Sequence, residues 1–172
     1  MTLLPINAQV LAQAKPPSEY QLKAVFLFNF TQFVEWPAEA FPESQTPLVI
    51  GILGEDPFGT YLDEAVAGEK ANNRQLVVER YRRPQDIKLC HILFISRSEA
   101  DRLEQILAGV SGRRILTVGD VDGFAGRGGM IRFVTERNKI RLKINLEAAK
   151  AAKLTISSKL LRPADIVTTG KE

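Results

Sequence analysis

The run Leu48–Leu53, LVIGIL, has no polar side chain in it, and Cys90–Ser96, CHILFIS, comes close to repeating it. A strand with one wet face alternates apolar and polar residues, so a Val/Ile/Leu-rich run that does not alternate is buried on both faces. Two such runs require a largely parallel sheet with helices above and below. The intervening sequence fits that demand. Gly54–Gly59, GEDPFG, reads as a tight loop opening a helix from about Thr60 to Glu69, and Asn72-Asn73 turns the chain into an alternating strand, Leu76–Tyr81. Pro84–Lys88 leads to the Cys90 strand, after which Ser98, with Asp101 as a weak capping-box partner, predicts a helix to about Ala108. Arg114–Val118 is a further strand and Asp120–Gly129 a Gly-rich loop. Met130–Glu136 and Lys139–Asn145 pair as a hairpin across Arg137-Asn138. Asn145 then caps a helix over Leu146–Lys153, and Ile156–Leu161 forms a short helix before Pro163. The pattern predicts a single doubly wound α/β domain, Rossmann- or flavodoxin-like, of about six strands. The sheet is mostly parallel, with the antiparallel hairpin at one edge and helices on both faces.

Ahead of the strands lies Leu22–Trp36, LKAVFLFNFTQFVEW, bounded by Ser18 with Gln21 as a capping box and by Pro37. Stepping about 100° per residue places Leu22, Val25, Phe26, Phe30 and Phe33 on one face, widened by Leu27 and Val34. Polar Asn29 falls within that face and Phe28 outside it. Two readings stand: a helix packed on the sheet with one stray Phe, or a helix whose surplus apolar surface meets a second subunit or a partner. On the second, Phe28, Asn29 and Trp36 are the interface residues. An Asn on an apolar face is costly unless hydrogen-bonded, so Asn29 marks specificity rather than stability.

Composition excludes several classes. A length of 172 residues suits one well-cored domain. The net charge of +3 is mild and no Lys/Arg tract appears, so nothing points to nucleic acid. No segment approaches the roughly 18–20 apolar residues of a membrane span. Met1–Ala14 lacks a basic start and is broken by Pro5 and Asn7, yet Ala12-Gln13-Ala14 fits the small-x-small pattern of signal cleavage. Residues 1–14 are thus read as the remnant of an export signal, with 15–172 as the domain; a disordered leader is the other reading.

The chemistry-bearing residues form no catalytic constellation. Cys90 is the one cysteine, so no internal disulfide exists, and as the head of an apolar run it reads as a small buried residue. His91 is the one histidine; without paired-ligand spacing it reads as a hydrogen-bonded residue at a sheet end, and no metal or cofactor is called for. No Ser sits in a nucleophile elbow. Ligands of doubly wound sheets bind beyond the carboxyl ends of strands, where Asp56, Phe58 and Gly59 lie, although a plain strand–helix turn explains the same residues. On the hairpin Lys139, Arg141 and Lys143 share one face, joined by Arg132. That face either blocks edge-to-edge aggregation or, through Arg132 and Arg141, receives an anionic molecule or acidic partner.

Several phrases in order carry a resemblance: Phe33-Val34-Glu35-Trp36-Pro37, Gly54–Gly59, Cys90–Ser96 with Ser98-Glu99, Gly128–Phe133, Asn138–Arg141, Ile144-Asn145-Leu146 and Ile156–Leu161. In this order and spacing the chain resembles the YfiR-like family of small exported bacterial proteins, from about Tyr20 to Val167. The resemblance implies a periplasmic regulator, not an enzyme, which binds the periplasmic sensor region of an inner-membrane diguanylate cyclase. Repressing that cyclase lowers cyclic-di-GMP and biofilm formation. It further implies an outer-membrane lipoprotein that sequesters the regulator, and a homodimer. The best-known relatives carry further cysteines, so their intramolecular redox gating does not transfer to a chain with Cys90 alone.

Overall fold

The computed structural model describes residues 17–172, and the expected export-signal remnant at residues 1–14 lies outside them. In chain order the elements are α1 (Glu19–Phe33), β1 (Val34–Glu35), β2 (Leu48–Leu53), α2 (Tyr61–Val66), β3 (Lys70–Ala71), β4 (Arg74–Tyr81), β5 (Ile92–Ile95) and α3 (Leu103–Val110). There follow β6 (Leu116–Gly119), β7 (Ile131–Glu136), β8 (Lys139–Asn145), α4 (Leu146–Ala151), β9 (Thr155–Ile156), α5 (Ser158–Leu161) and β10 (Asp165–Val167).

Among the described residues the main sheet has eight strands in the order β10-β8-β7-β6-β5-β2-β4-β3, where about six were expected. From β4 through β2, β5 and β6 to β7 every pairing is parallel. Beyond β7 the hairpin partner β8 runs antiparallel, and β3 is antiparallel to β4 at the far edge. Buried residues divide by strand parity as a doubly covered sheet requires. Ile50, Ile52, Ile92, Phe94, Leu116 and Val118 join the core under α1, α2, α4 and α5. Leu53, Leu93 and Ile95 face the opposite core, with α3 and Phe124. The Gly-rich loop owes its composition to Phe124: a Cβ on Gly119 or Gly129 would stand 2.5 or 2.1 Å from its fully buried ring.

Four expectations are corrected. The hairpin does not close the sheet, because β10 pairs in parallel with Lys143–Asn145 and covers that end of β8. The aromatic helix stops at Phe33 instead of reaching Trp36. Val34 turns extended, and Val34–Glu35 pairs with Thr155–Ile156, replacing helical bonds with a two-stranded ladder. Ser98 is not a helix cap: Ser96 caps a 3-10 turn over Arg97–Arg102, and α3 starts only at Leu103. Finally, α1 is rotated from its predicted phase. Its buried residues are Lys23, Ala24, Leu27, Phe30 and Thr31, whereas Val25, predicted inward, is 50% exposed.

Both two-residue turns form where the sequence put them. Asn72 and Asn73 connect β3 to β4 at φ 49° and 64°, and Arg137-Asn138 connects β7 to β8 at φ 48° and 62°. Consecutive left-handed residues match the twist of an antiparallel pair, and Asn tolerates that region well.

Candidate functional site

Chain order breaks between β2 and β5: the chain runs out from β2 to β4, then returns across β2 to β5 and β6. Such a switch point, at the carboxyl ends of the strands, is where open α/β sheets hold ligands. Here it is packed with the protein's own side chains. Ser98 Oγ accepts from Glu55 N–H at 2.9 Å and Asp56 Oδ1 from Phe58 N–H at 2.8 Å, which occupies two of the loop amides. Asp56 also accepts from Arg80 Nε at 2.7 Å. Phe58, a sequence candidate for ligand contact, is corrected to a core residue: it is 1% exposed, with Tyr20 at 5.5 Å and Phe94 at 4.8 Å between ring centroids. Gly59 is exposed, and its carbonyl accepts from Arg80.

Next to it, under the first turns of α1, is a buried ionic knot that sequence reasoning missed. Lys23 is 0% exposed, and its Nζ donates to Asp120 Oδ2 at 2.7 Å and to Glu19 Oε1 at 2.5 Å. Tyr20 Oη donates to the same Asp120 oxygen at 2.7 Å, and Arg97 Nε approaches Oδ1 at 3.2 Å. Thr135 Oγ1 closes the outer end by donating to Glu19 at 2.8 Å. The Lys23 ammonium lies 4.5 Å from the Tyr20 ring centroid. Burial by itself would raise the Asp120 carboxyl, but hydrogen bonds from Lys23 and Tyr20 and the charges of Lys23 and Arg97 hold it below the usual carboxylate range. Burial and the Asp120 hydrogen bond together push the Tyr20 phenol above its ordinary value. Every charge here has a partner, so the knot acts as a clamp between α1 and the end of β6. The sequence signal available was Lys23 at helical spacing among apolar neighbours, together with Asp120 just past a buried strand.

His91 and Cys90 are structural. His91 Nδ1 accepts from Val49 N–H at 3.0 Å, so Nε2 carries the proton and donates to Ala40 O at 2.8 Å. Burial lowers its pKa and keeps the ring neutral. Burial pushes the Cys90 thiol up to about 12, leaving it unreactive. Among the described residues no three His, Cys, Asp or Glu side chains gather as a metal site.

The three interface candidates separate. Phe28 and Asn29, both half-buried, flank exposed Val25 on the outward stripe of α1, and Phe28 also rests on the core. Trp36 sits past β1 at the opposite end of the sheet, its Nε1 donating to His91 O at 3.0 Å. It lines a cleft of about 240 Å³ with Phe41, Leu48 and Arg74. The hairpin does gather its basic residues on one face: Arg132 lies opposite Lys143, and Arg141 opposite Val134. Arg141 is exposed beside Glu136 at 3.4 Å, whereas Arg132 is paired with Asp122 and Glu172.

Fold and site together define an α/β domain whose switch point is filled by its own side chains and whose clamped first helix leaves Val25 exposed between half-buried Phe28 and Asn29. Residues 20–165 match the YfiR/HmsC-like family, and the chain belongs to it. That family is associated with periplasmic regulation of diguanylate cyclases, and its members are regulatory rather than catalytic. The fold is similar to a crystal structure of a conserved domain protein from Vibrio cholerae O1 biovar El Tor strain N16961, with a TM-score of 0.52 and 13% sequence identity. The match covers 69% of this chain and 54% of that one, so the chain spans about half that protein's length; the likeness concerns the fold alone. A comparison with functionally curated proteins finds no match. Among the described residues no helix is long and apolar enough to cross a membrane.

Proposed function

We propose that the protein is a periplasmic repressor that binds the periplasmic sensor region of an inner-membrane diguanylate cyclase through the outward stripe of α1. Repression lowers cyclic-di-GMP and biofilm formation. The observation that carries this reading is the state of α1. Its inner side is clamped by Lys23 to Asp120, while Val25, 50% exposed, stands outward between Phe28 and Asn29. A helix face held by such a clamp loses little conformational entropy on docking, and a change at its exposed centre, Val25, is felt most in binding.

The test is co-expression of the exported chain with its membrane cyclase while cyclic-di-GMP is measured, with pull-down of the cyclase's periplasmic region. Repression by the wild type is expected, and Val25→Asp weakens the pull-down by about tenfold or more while the fold survives. Unchanged cyclic-di-GMP and no captured cyclase would sink the reading. Loss of self-association in Val25→Asp with repression intact would assign the stripe to a homodimer instead.

A further inference from the structure

Arg132 and Lys143 face each other across β7 and β8, on the sheet face opposite the aromatic contacts of α1. Two like charges at one register position repel, so something negative must lie between them. That group is the side chain of Glu172, only 5% exposed. Its Oε1 accepts from Arg132 Nη1 and lies 3.8 Å from Lys143 Nζ, while Oε2 accepts from Gly126 N–H at 2.9 Å. Gly126 is a glycine by necessity here, since a Cβ would stand 2.8 Å from the Cβ of Glu172. The chain arrives through a turn bridging Thr168 and Lys171, fastened by Gly170 N–H to Gly126 O at 2.8 Å and by Asn145 Nδ2 to Thr169 Oγ1 at 3.0 Å.

An Arg, a Lys and a backbone N–H converging on one carboxylate, with a missing Cβ making room, is how proteins recognise an acidic group. Two further facts separate this site from an ordinary ion pair. Its three receptor groups lie inside the family-matched residues 20–165, whereas Glu172 lies beyond them. And Glu172 is an imperfect occupant: Arg132 uses Nη1 on it and Nη2 on fully exposed Asp122, while Nε is buried without a partner. Glu172 therefore holds Arg132 through one nitrogen only, short of the two-nitrogen grip by which arginine best recognises a carboxylate.

We infer that Gly126, Arg132 and Lys143 form a carboxylate-recognition site, filled in cis by Glu172, for which an external acidic group competes. That group is an acidic side chain of a peptide segment or a free dicarboxylate; both present the same chemistry. The site requires nothing of the cyclase reading, so each stands or falls separately.

The experiment follows the Gly126 backbone amide by ¹⁵N NMR in the full chain and in Glu172→Gln. Glutarate and, separately, an acetylated TTGKE peptide are the probes. Glu172→Gln should bind one of them saturably and about tenfold or more tighter than the wild type, because the internal competitor is gone. A response to the peptide alone shows that the site takes a carboxylate carried on a peptide backbone, and an equal response to glutarate that it takes a free acid; either supports the site. Adding Arg132→Gln to Glu172→Gln should abolish the response. So should adding Gly126→Ala, which fills the cradle and keeps both charges, should the arginine variant fail to fold. No saturable response in Glu172→Gln, or an undiminished one in both double variants, overturns the inference.

Discussion

Lys23 and Asp120 each desolvate a charge, and each is tolerable only because the other is there. Asp120→Ala leaves the ammonium buried with Glu19 as its remaining carboxylate partner. It should cost roughly 3–5 kcal/mol in chemical denaturation, while Lys23→Met with Asp120→Leu recovers most of the loss. The pH dependence is set by the same kind of argument. His91 has a lowered pKa, so below the unfolded value of about 6.5 the unfolded chain binds a proton that the native chain does not. Stability therefore falls as pH drops from about 6.5, by at most about 1.4 kcal/mol per unit for one proton. Asp120, also lowered, extends the acid loss below about pH 4. His91→Gln should flatten the denaturation-monitored slope between about pH 5 and 6.5, because this is the chain's one histidine. The sequence marked Asn29 as the polar intruder on α1; the structure leaves Asn29 half-buried and buries Lys23 completely instead. Nothing local distinguishes the two. The difference lies in Asp120, 97 residues away.

At the scale of elements, α1 begins as its residues dictate. Ser18 Oγ accepts from Gln21 N–H at 3.2 Å and Gln21 Oε1 from Ser18 N–H at 2.6 Å, so both halves of the capping box form. Ser18→Ala should cost about 1 kcal/mol, read as a shift in denaturation midpoint. Phe30 is fully buried and stacks on Phe133 at 5.8 Å; Phe30→Ala should cost about 3–5 kcal/mol. Val25→Asp, on the outward side, should change stability by no more than about 0.5 kcal/mol. The end of α1 was less legible than its start. Pro37 is a visible stop, but Val34 leaves the helix earlier because β9 offers it a ladder, and β9 belongs to a stretch that reads as helix. The strand Leu48–Leu53 and the β8 strand Lys139–Asn145 were legible to the residue. In the first, unbroken apolar character leaves one reading; in the second, basic and apolar residues alternate with period two.

Over the whole molecule, β10 is the element whose removal should matter most beyond its size. It covers β8 at Lys143–Asn145, and a chain cut after Pro163 would bare that edge. Such a chain should form larger assemblies in light scattering than the full chain does, because an uncovered strand edge is a template for pairing. The apolar runs, their order and the turn residues determined a doubly covered parallel sheet with a terminal hairpin, since each of those signals acts over a few neighbouring residues. The ordered phrases likewise carried the family. The phase of α1, the burial of Lys23, the capture of Glu172 by Arg132 and the covering of β8 were decided by tertiary structure alone. Each depends on a partner distant in sequence, and which charges and edges meet is known only once the sheet has brought them together.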